Sequence, residues 1–117
     1  MDNAFLSLVE ESLRQFPAGV FLTTGEQANP MTIGWGSIGI QWGRPVMTVM
    51  VRRSRYSHGL IENGDFTVSV PAPGTMKQEL AFCGSKSGRD VDKIKELGLT
   101  MLDPKAGTVK ADRKSVV

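Results

Sequence analysis

Four extended segments lie close together in this chain, and the turns between the first three are too short to hold a helix. The segments are Ala18–Thr24, Met31–Trp42, Val46–Val51 and Phe66–Val70. Polar or glycine-rich turns at Gly25–Pro30 and Gly43–Pro45 separate the first three. The regular alternation of strand and helix that builds a doubly wound parallel sheet is absent. We therefore predict a mainly β fold with inserted helices, that is, a small β-barrel of the α+β class.

A helix is expected before the first strand. Apolar residues recur there at spacings of four, four and three, which places them in one stripe along a helix. The stripe consists of Phe5, Val9, Leu13 and Phe16, together with Leu6. Asp2 or Asn3 is able to cap this helix, and Pro17 ends it. We expect the stripe to face the core.

Three further short helices are expected between and after the strands, each with a capping residue or a terminal glycine. They are Arg55–Asn63 between Ser54 and Gly64, Thr75–Cys83 closed by Gly84, and a last helix from a capping Asp90 to Gly98. Their inward residues are expected to be Met76, Leu80, Phe82 or Cys83, Val91, Ile94 and Leu97.

The segment Val46–Val51 is apolar and partly β-branched, which predicts a strand buried on both faces.

Length and composition predict one soluble globular domain over residues 1–117. Charged residues make up 22% and hydrophobic ones 40% of the chain, and the net charge of +2 is too small to indicate nucleic acid or a membrane surface. Cys83 is the only cysteine, so an intrachain disulfide is excluded and a reducing cytoplasm fits. Neither a signal peptide nor an apolar stretch of about 20 residues is visible. We expect a cytoplasmic protein.

Positive charge is concentrated in one part of the chain. No acidic residue lies between Glu26 and Glu62, whereas four arginines do: Arg44, Arg52, Arg53 and Arg55. These arginines form one positive face or are scattered in solvent. Nucleic acid is an alternative partner for such a face, with Trp35, Trp42 and Tyr56 as stacking residues. The small number of aromatic residues argues against it.

Two segments have the composition of anion sites at helix starts. Arg52–His58 follows a strand and offers arginines with serine and tyrosine hydroxyls. Ser85–Lys93 repeats the arrangement, with a flexible turn followed by basic residues and a helix. Unpaired N–H groups and partial positive charge make a helix N-terminus suitable for phosphate. An ordinary capped surface helix fits either segment alone. Two such segments in one small domain favour a binder of a phosphorylated small molecule.

Other chemistry fits the residues less well. Gly34–Gly39 matches a dinucleotide fingerprint, but a strand follows it instead of a helix and no acid lies about 20 residues further on. His58, the only histidine, and the lone Cys83 are more often structural than catalytic. One histidine and one cysteine without clustered carboxylates fall short of a metal ligand set. We predict no metal.

Four blocks of the chain, in order, resemble the flavin reductase-like, FMN-binding split-barrel family and especially its flavoredoxin-like branch. The blocks are Asn29–Trp35 (NPMTIGW), Arg52–Ile61 (RRSRYSHGLI), Asp65–Pro71 (DFTVSVP) and Cys83–Leu99 (CGSKSGRDVDKIKELGL). The resemblance covers residues 16–99, whereas residues 103–117 diverge from the usual continuation of the family. It implies a Greek-key split barrel, shortened at its C-terminal end, and a homodimer with FMN near the subunit interface.

The resemblance also implies a reaction and a set of ligand residues. A reduced nicotinamide, NADH or NADPH, would deliver hydride to FMN, which passes electrons to free flavin, a partner protein or a metal complex. The implied residues are Met31, Thr32 and Trp35 along the ring, Val51, Arg52, Ser54 and Tyr56 at the ribityl chain and phosphate, and Cys83, Gly84, Ser85, Ser87 and Lys93 closing the site. No side chain is given an acid–base role, since the flavin carries the chemistry.

Three functions therefore compete. The first is an FMN-dependent oxidoreductase with a small-molecule or protein electron acceptor and no nucleic-acid or membrane partner. The second is an FMN-binding protein without turnover, and the third is a non-enzymatic interaction or nucleic-acid-binding module that uses the arginine face. The first is preferred, because the resemblance and the two anion-suited segments agree.

Overall fold

A computed structural model describes residues 3–25, 27–62, 64–99, 101–102, 111–112 and 115–116. Helices and strands follow the order expected from the sequence, except that two strands replace the single strand expected over Met31–Trp42 and three two-residue strands follow at the end. The elements are α1 Asn3–Gln15, β1 Val20–Thr24, β2 Asn29–Ile33, β3 Gly36–Gln41, β4 Arg44–Val49, α2 Tyr56–Ile61, β5 Phe66–Pro71, α3 Lys77–Ser85, α4 Lys93–Leu97, β6 Met101–Leu102, β7 Ala111–Asp112 and β8 Ser115–Val116. None of the described helices is long and apolar enough to cross a membrane.

The main sheet is antiparallel, with strand order β2-β1-β5-β8. In its register Phe21 lies between Thr32 of β2 and Ser69 of β5. β3 and β4 form a separate hairpin, and β6 pairs with β7. Over the described residues these are open sheets, so the expected barrel is not closed there.

The main sheet carries a hydrophobic cluster on each face, because neighbouring side chains of a strand point to opposite sides. Val20 and Leu22 of β1 belong to the first cluster, against which Met47 and Val49 of the hairpin pack. Phe21 belongs to the second cluster, with Leu80 and Cys83 of α3. The sheet is thus covered by the hairpin and α1 on one side and by α3 and α4 on the other.

The prediction of one long strand over Met31–Trp42 is wrong, because the chain breaks at Gly34 and Trp35 and passes from the main sheet into the hairpin. The expected turn is also shifted. Trp42 and Gly43 both have positive φ, +54° and +73°, and join paired residues Gln41 and Arg44. This is a two-residue hairpin turn of the type that matches strand twist.

The prediction that Val46–Val51 is buried on both faces is also wrong. Among the described strands β4 pairs with β3 alone, and only one of its faces meets the core. Thr48, on the other face, is exposed. An apolar run therefore did not distinguish a doubly covered strand from a hairpin strand covered on one side.

The apolar stripe of α1 faces the core only in part. Leu6 and Leu13 are 53% and 52% exposed, whereas Ser12 is buried and Phe16, just after the helix, joins the core. At 3.6 residues per turn the two leucines lie about a quarter turn from the line through Phe5, Ser12 and Phe16. The expected inward orientation of Leu6 and Leu13 is therefore wrong.

Three predicted helix boundaries are corrected. The N-cap of α2 is Arg55 rather than Ser54, and no side chain caps it. The N-cap of α4 is Asp92 rather than Asp90, and its carboxylate accepts from the amide of Lys95 at 3.2 Å. α3 continues through Gly84 to Ser85, so that glycine does not end it. The cap proposed at Asp2, the end of the second helix at Asn63 and most of the tail over 103–117 lie outside the described residues.

Candidate functional site

The two segments predicted to bind an anion lie against each other. Arg55, the N-cap of α2, donates from Nη2 to the Cys83 carbonyl and from Nη1 to the Gly84 carbonyl, both at 3.4 Å. The guanidinium of Arg89 lies over the Tyr56 ring, 5.6 Å from its centre. Residues about 30 positions apart in sequence, in Arg52–His58 and Cys83–Lys93, are therefore neighbours in the fold.

Two cations meet at the C-terminal end of α3. The last carbonyls of a helix lack partners within it and carry partial negative charge. The Cys83 carbonyl accepts from Lys93 Nζ at 3.1 Å as well as from Arg55. Lys93 Nζ also donates to the Pro30 carbonyl at 2.9 Å. Lys93 thus fastens α4 to both α3 and the start of β2.

Lys93 is a buried cation without an anionic partner among the described residues. Its side chain is only 3% exposed, and no described carboxylate lies within ion-pair distance. Burial lowers the pKa of Lys93 from its ordinary 10.5; Cys83 opposes this shift and the Arg55 guanidinium adds to it. An ammonium has three N–H donors, of which two are used here. The third is left for a ligand or water.

The loop between α3 and α4 is pressed against β2 and α2 at Gly88. A Cβ added there would lie 2.1 Å from Asn29 Oδ1 and 2.8 Å from Tyr56 Cδ2. The Asn29 amide is itself fixed, because Nδ2 donates to Ser57 Oγ at 3.0 Å. The close approach of the loop therefore requires glycine at this position.

A cleft of about 650 Å³ opens beside this junction. Its size falls in the range of small-molecule sites. Its walls come from the β1–β2 turn, α2 and the 88–93 loop, and include Thr24, Asn29, Tyr56, Gly88, Arg89 and Lys93. Of the predicted ligand residues, Tyr56 and Lys93 line it.

The other predicted ligand residues lie in several environments. Met31 is buried in the core and Val51 packs against it, so the side chains of both are already used there. Trp35 is 75% exposed, and Arg52 and Ser54 are exposed in the loop before α2. Their role as ligands stays a prediction.

The remaining predicted residues lie around α3. Thr32 donates to the Leu80 carbonyl, and Gly84 packs against Thr32. Ser85 Oγ donates back to the Ala81 carbonyl at 2.8 Å, and Ser87 Oγ accepts from the amide of Arg89 at 3.1 Å. The Cys83 side chain is fully buried, and its carbonyl accepts from Lys93 and Arg55.

Sequence reasoning missed Asn29 and Gly88 as residues that shape the site, and it considered Arg55 only as a ligand for an anion. The signal for Gly88 was its place in a glycine- and serine-rich turn. The partners of Arg55 and Gly88 became visible only once the fold brought distant segments together.

The sequence matches the flavin reductase like domain over residues 13–111. The chain belongs to this family, as predicted. An uncharacterized protein of Archaeoglobus fulgidus is 33% identical over 81 residues, which are 68% of this chain and 45% of that protein.

Two solved structures have a similar fold. One is the flavoredoxin of Desulfovibrio vulgaris (Miyazaki F), with a TM-score of 0.72 and 25% identity over 82% of this chain and 54% of that one. The other is an FMN-binding domain of a flavin reductases-like enzyme from Shewanella baltica OS155, with a TM-score of 0.70 and 18% identity over 92% and 58% of the two chains. The second shows the fold alone. Both structures confirm the predicted mainly β, α+β fold. This chain spans about half the length of these proteins.

Proposed function

We propose that this protein binds FMN and moves electrons from NADH or NADPH through it to a small-molecule or protein acceptor. Family membership supports the flavin, since one protein of similar fold is described as FMN-binding. The observation that carries the proposal is the buried Lys93 ammonium. Where the two anion-suited segments meet, it has one N–H donor left over and no anionic partner among the described residues.

Several residues around the cleft fit a phosphorylated ligand, whereas the carboxylates of Asp90 and Asp92, which also line it, repel a phosphate placed beside them. Lys93 offers one N–H, Tyr56 a hydroxyl, and Arg89 a cation at the rim. Arg52 and Ser54 are exposed in the adjoining loop and would add donors to the ribityl chain or phosphate. Thr32 and the exposed Trp35 would contact the ring. The cofactor would thus be held between α2, β2 and the 83–93 segment.

Bound FMN would supply the two-electron redox chemistry between a reduced nicotinamide and the acceptor. The side chains of this protein bind and orient. Fixed donors and the Lys93 charge would favour a negatively charged ligand, and an acid–base side chain is not required.

Titration with FMN tests this proposal first. We expect uptake of about one FMN per chain, with a yellow bound chromophore, followed by bleaching when NADH or NADPH is added without oxygen. Absorption spectra of the purified protein check both steps. A protein that takes up no FMN contradicts the proposal. Uptake without bleaching would instead favour the second candidate, an FMN-binding protein without turnover.

The third candidate, a nucleic-acid-binding module, is disfavoured by how the arginines are used. Arg55 bonds to carbonyls of α3, and the exposed Arg89 lies over Tyr56. Arg52 and Arg53 are exposed before α2, and Arg44 is exposed on the β3–β4 hairpin. Such a surface is small for a phosphate backbone. A cytoplasmic location stays a prediction.

A homodimer is also part of the proposal. Large apolar side chains are exposed on and beside the β3–β4 hairpin, namely Trp35, Ile40, Trp42 and Met50. Exposed apolar patches mark interaction surfaces. We expect light scattering to give the mass of two chains, and Trp42→Lys to give the mass of one. Leu13→Lys, at an exposed leucine of α1, is the matched control that should remain dimeric. A single-chain mass for the wild-type protein at all concentrations would contradict this proposal.

A further inference from the structure

Exposed basic side chains gather beside the candidate cleft, where α2 begins and α3 ends. They are Arg52 and Arg53 in the turn before α2, Lys86 at the end of α3, and Arg89 in the loop that follows. We call this surface the basic rim. None of its four side chains forms an ion pair with a described carboxylate. Their charges are therefore not neutralised by direct contacts within the described part of the chain.

Arg55 holds the two segments of the basic rim together. Its amide donates to the Arg52 carbonyl at 3.0 Å, which closes a tight turn with Arg53 at one corner. Its guanidinium donates to two carbonyls at the end of α3, both at 3.4 Å, and Lys86 is the C-cap of that helix. The turn and the end of α3 thus form one continuous surface.

Further cations behind the basic rim add to its positive potential. Arg55 and Lys93 bond to backbone carbonyls, so neither spends its charge on a described carboxylate. Asp90 and Asp92 follow Arg89 and oppose this charge, although one oxygen of Asp92 is used to cap α4. The cations of this region outnumber these two carboxylates, so the net potential of the rim is positive.

A surface of this kind attracts an oppositely charged partner. Like charges that are not neutralised repel one another, and an approaching acidic surface relieves the repulsion and speeds the encounter. Three of the four side chains of the rim are arginines, a residue type that is enriched in protein interfaces. Arg89 also lines the cleft, so a partner bound to the rim would lie beside the proposed flavin.

The small extent of the basic rim favours a protein over other anionic partners. Its side chains come from two short segments, which suits the small interfaces of electron-transfer complexes. A nucleic acid presents a long row of phosphates and is bound by many basic contacts. Asp90 and Asp92 would also repel phosphates that ran past Arg89, whereas a folded protein places its carboxylates at particular points.

We propose that the basic rim docks an acidic protein that accepts the electrons, an inference that rests on the proposed function. Carboxylates of the acceptor face Arg53 and Lys86, and its redox centre lies beside the cleft. Two molecules of a one-electron acceptor are reduced for each reduced flavin that is reoxidised, and the protons of the reduced flavin go to solvent.

Cytochrome c supplies a matched pair of probes for this surface. The native protein is basic, and succinylation of its lysines makes it acidic while it keeps its haem. We expect the oxidised succinylated protein to shift the backbone NMR signals of Arg53 and Lys86 when it is titrated into the wild-type protein. Native cytochrome c should leave both signals in place. This titration needs neither FMN nor a reductant.

Electron transfer provides the second measurement. In the FMN-loaded protein reduced by NADH without oxygen, Arg53→Glu combined with Lys86→Glu should slow reduction of the succinylated probe about tenfold at low salt. The loss should shrink as salt is added. FMN affinity and flavin bleaching should stay nearly unchanged, because neither residue is a predicted ligand. Lys77→Glu combined with Lys95→Glu, at the start of α3 and on α4, is the control with the same change in charge.

Three results would contradict the docking surface. Equal rates in the double variant and its control, or NMR shifts confined to other surfaces, would overturn it while FMN uptake and bleaching still stood. Tighter binding of a DNA duplex or of phosphatidylserine vesicles at the rim would assign it to nucleic acid or to a membrane. Absence of FMN uptake would instead contradict the proposed function, and the NMR titration, which needs no flavin, distinguishes that failure from failure of the docking surface.

Discussion

Replacing Gly88 with alanine is expected to weaken FMN binding about tenfold or more and to destabilise the fold by about 1–3 kcal/mol. The added methyl group would lie 2.1 Å from Asn29 Oδ1 and 2.8 Å from Tyr56 Cδ2, closer than atoms can approach. Asn29 is held by Ser57 and cannot simply turn away. The 87–92 loop must therefore move outward, and Arg89 and Lys93 move with it.

Fluorescence quenching of FMN measures the affinity, and urea unfolding measures the stability. Gly59→Ala is the matched control, because a Cβ at Gly59 in α2 would meet nothing within 4 Å. Alanine is favoured over glycine inside a helix, so this control should gain about 0.5–1 kcal/mol and bind FMN normally. A Gly88→Ala variant with wild-type affinity and stability would show that the loop is not a wall of the site.

Local patterns predicted the elements of this fold well. Strands β1 and β5 and helices α3 and α4 follow from apolar runs bounded by glycine, proline and polar turns. Gly98 ends α4 in the left-handed conformation, φ +65°, as its place in the sequence predicted. The spacing of the extended segments predicted the mainly β fold class, and the family resemblance, confirmed over residues 13–111, agreed with it.

The same patterns did not predict which faces of the strands and helices are buried. Burial depends on which element packs on each side, and that is decided by residues far away in the sequence. Leu13 continues a helical stripe but lies beyond the edge of the contact with the sheet. Ser54 has the chemistry of a cap, yet the chain enters α2 one residue later. In both cases tertiary packing overrode a local preference.

The sequence predicted the two segments of the candidate site but not the contacts between them. Lys93 was predicted as a ligand from the family resemblance, and it ends a segment that had been marked for its turn and basic residues. Its partner Pro30 is 63 positions away, and their bond crosses from α4 to β2. Arg55 was considered as a phosphate ligand, whereas its guanidinium bonds to the end of α3. Only the folded structure shows that Arg55 and Lys93 also hydrogen-bond to the backbone of neighbouring elements, Arg55 to α3 and Lys93 to α3 and β2.

Replacing Lys93 with methionine is expected to weaken FMN binding about tenfold or more and to destabilise the fold by about 1–2 kcal/mol at pH 7. Methionine fills a similar volume but leaves the Pro30 carbonyl without its partner. Removal of a buried charge relieves part of this loss. The Cys83 carbonyl keeps its bond from Arg55. Lys95→Met, on the exposed side of the same helix, is the matched control that should change neither quantity much.

The pH dependence identifies the ammonium as the group responsible. The pKa of Lys93 is lowered from 10.5 by burial, so between the lowered value and 10.5 the unfolded chain holds a proton that the folded chain lacks. The free energy of unfolding should therefore rise with pH across that interval through this group. An FMN phosphate favours the charged form, so FMN affinity should fall over the same interval as the ammonium loses its proton. Urea unfolding and FMN titration across this interval should show both trends in the wild-type protein and in Lys95→Met, and neither trend in Lys93→Met. Equal pH profiles of FMN affinity in the wild-type protein and Lys93→Met would mean that Lys93 holds the walls of the site together without contacting the ligand.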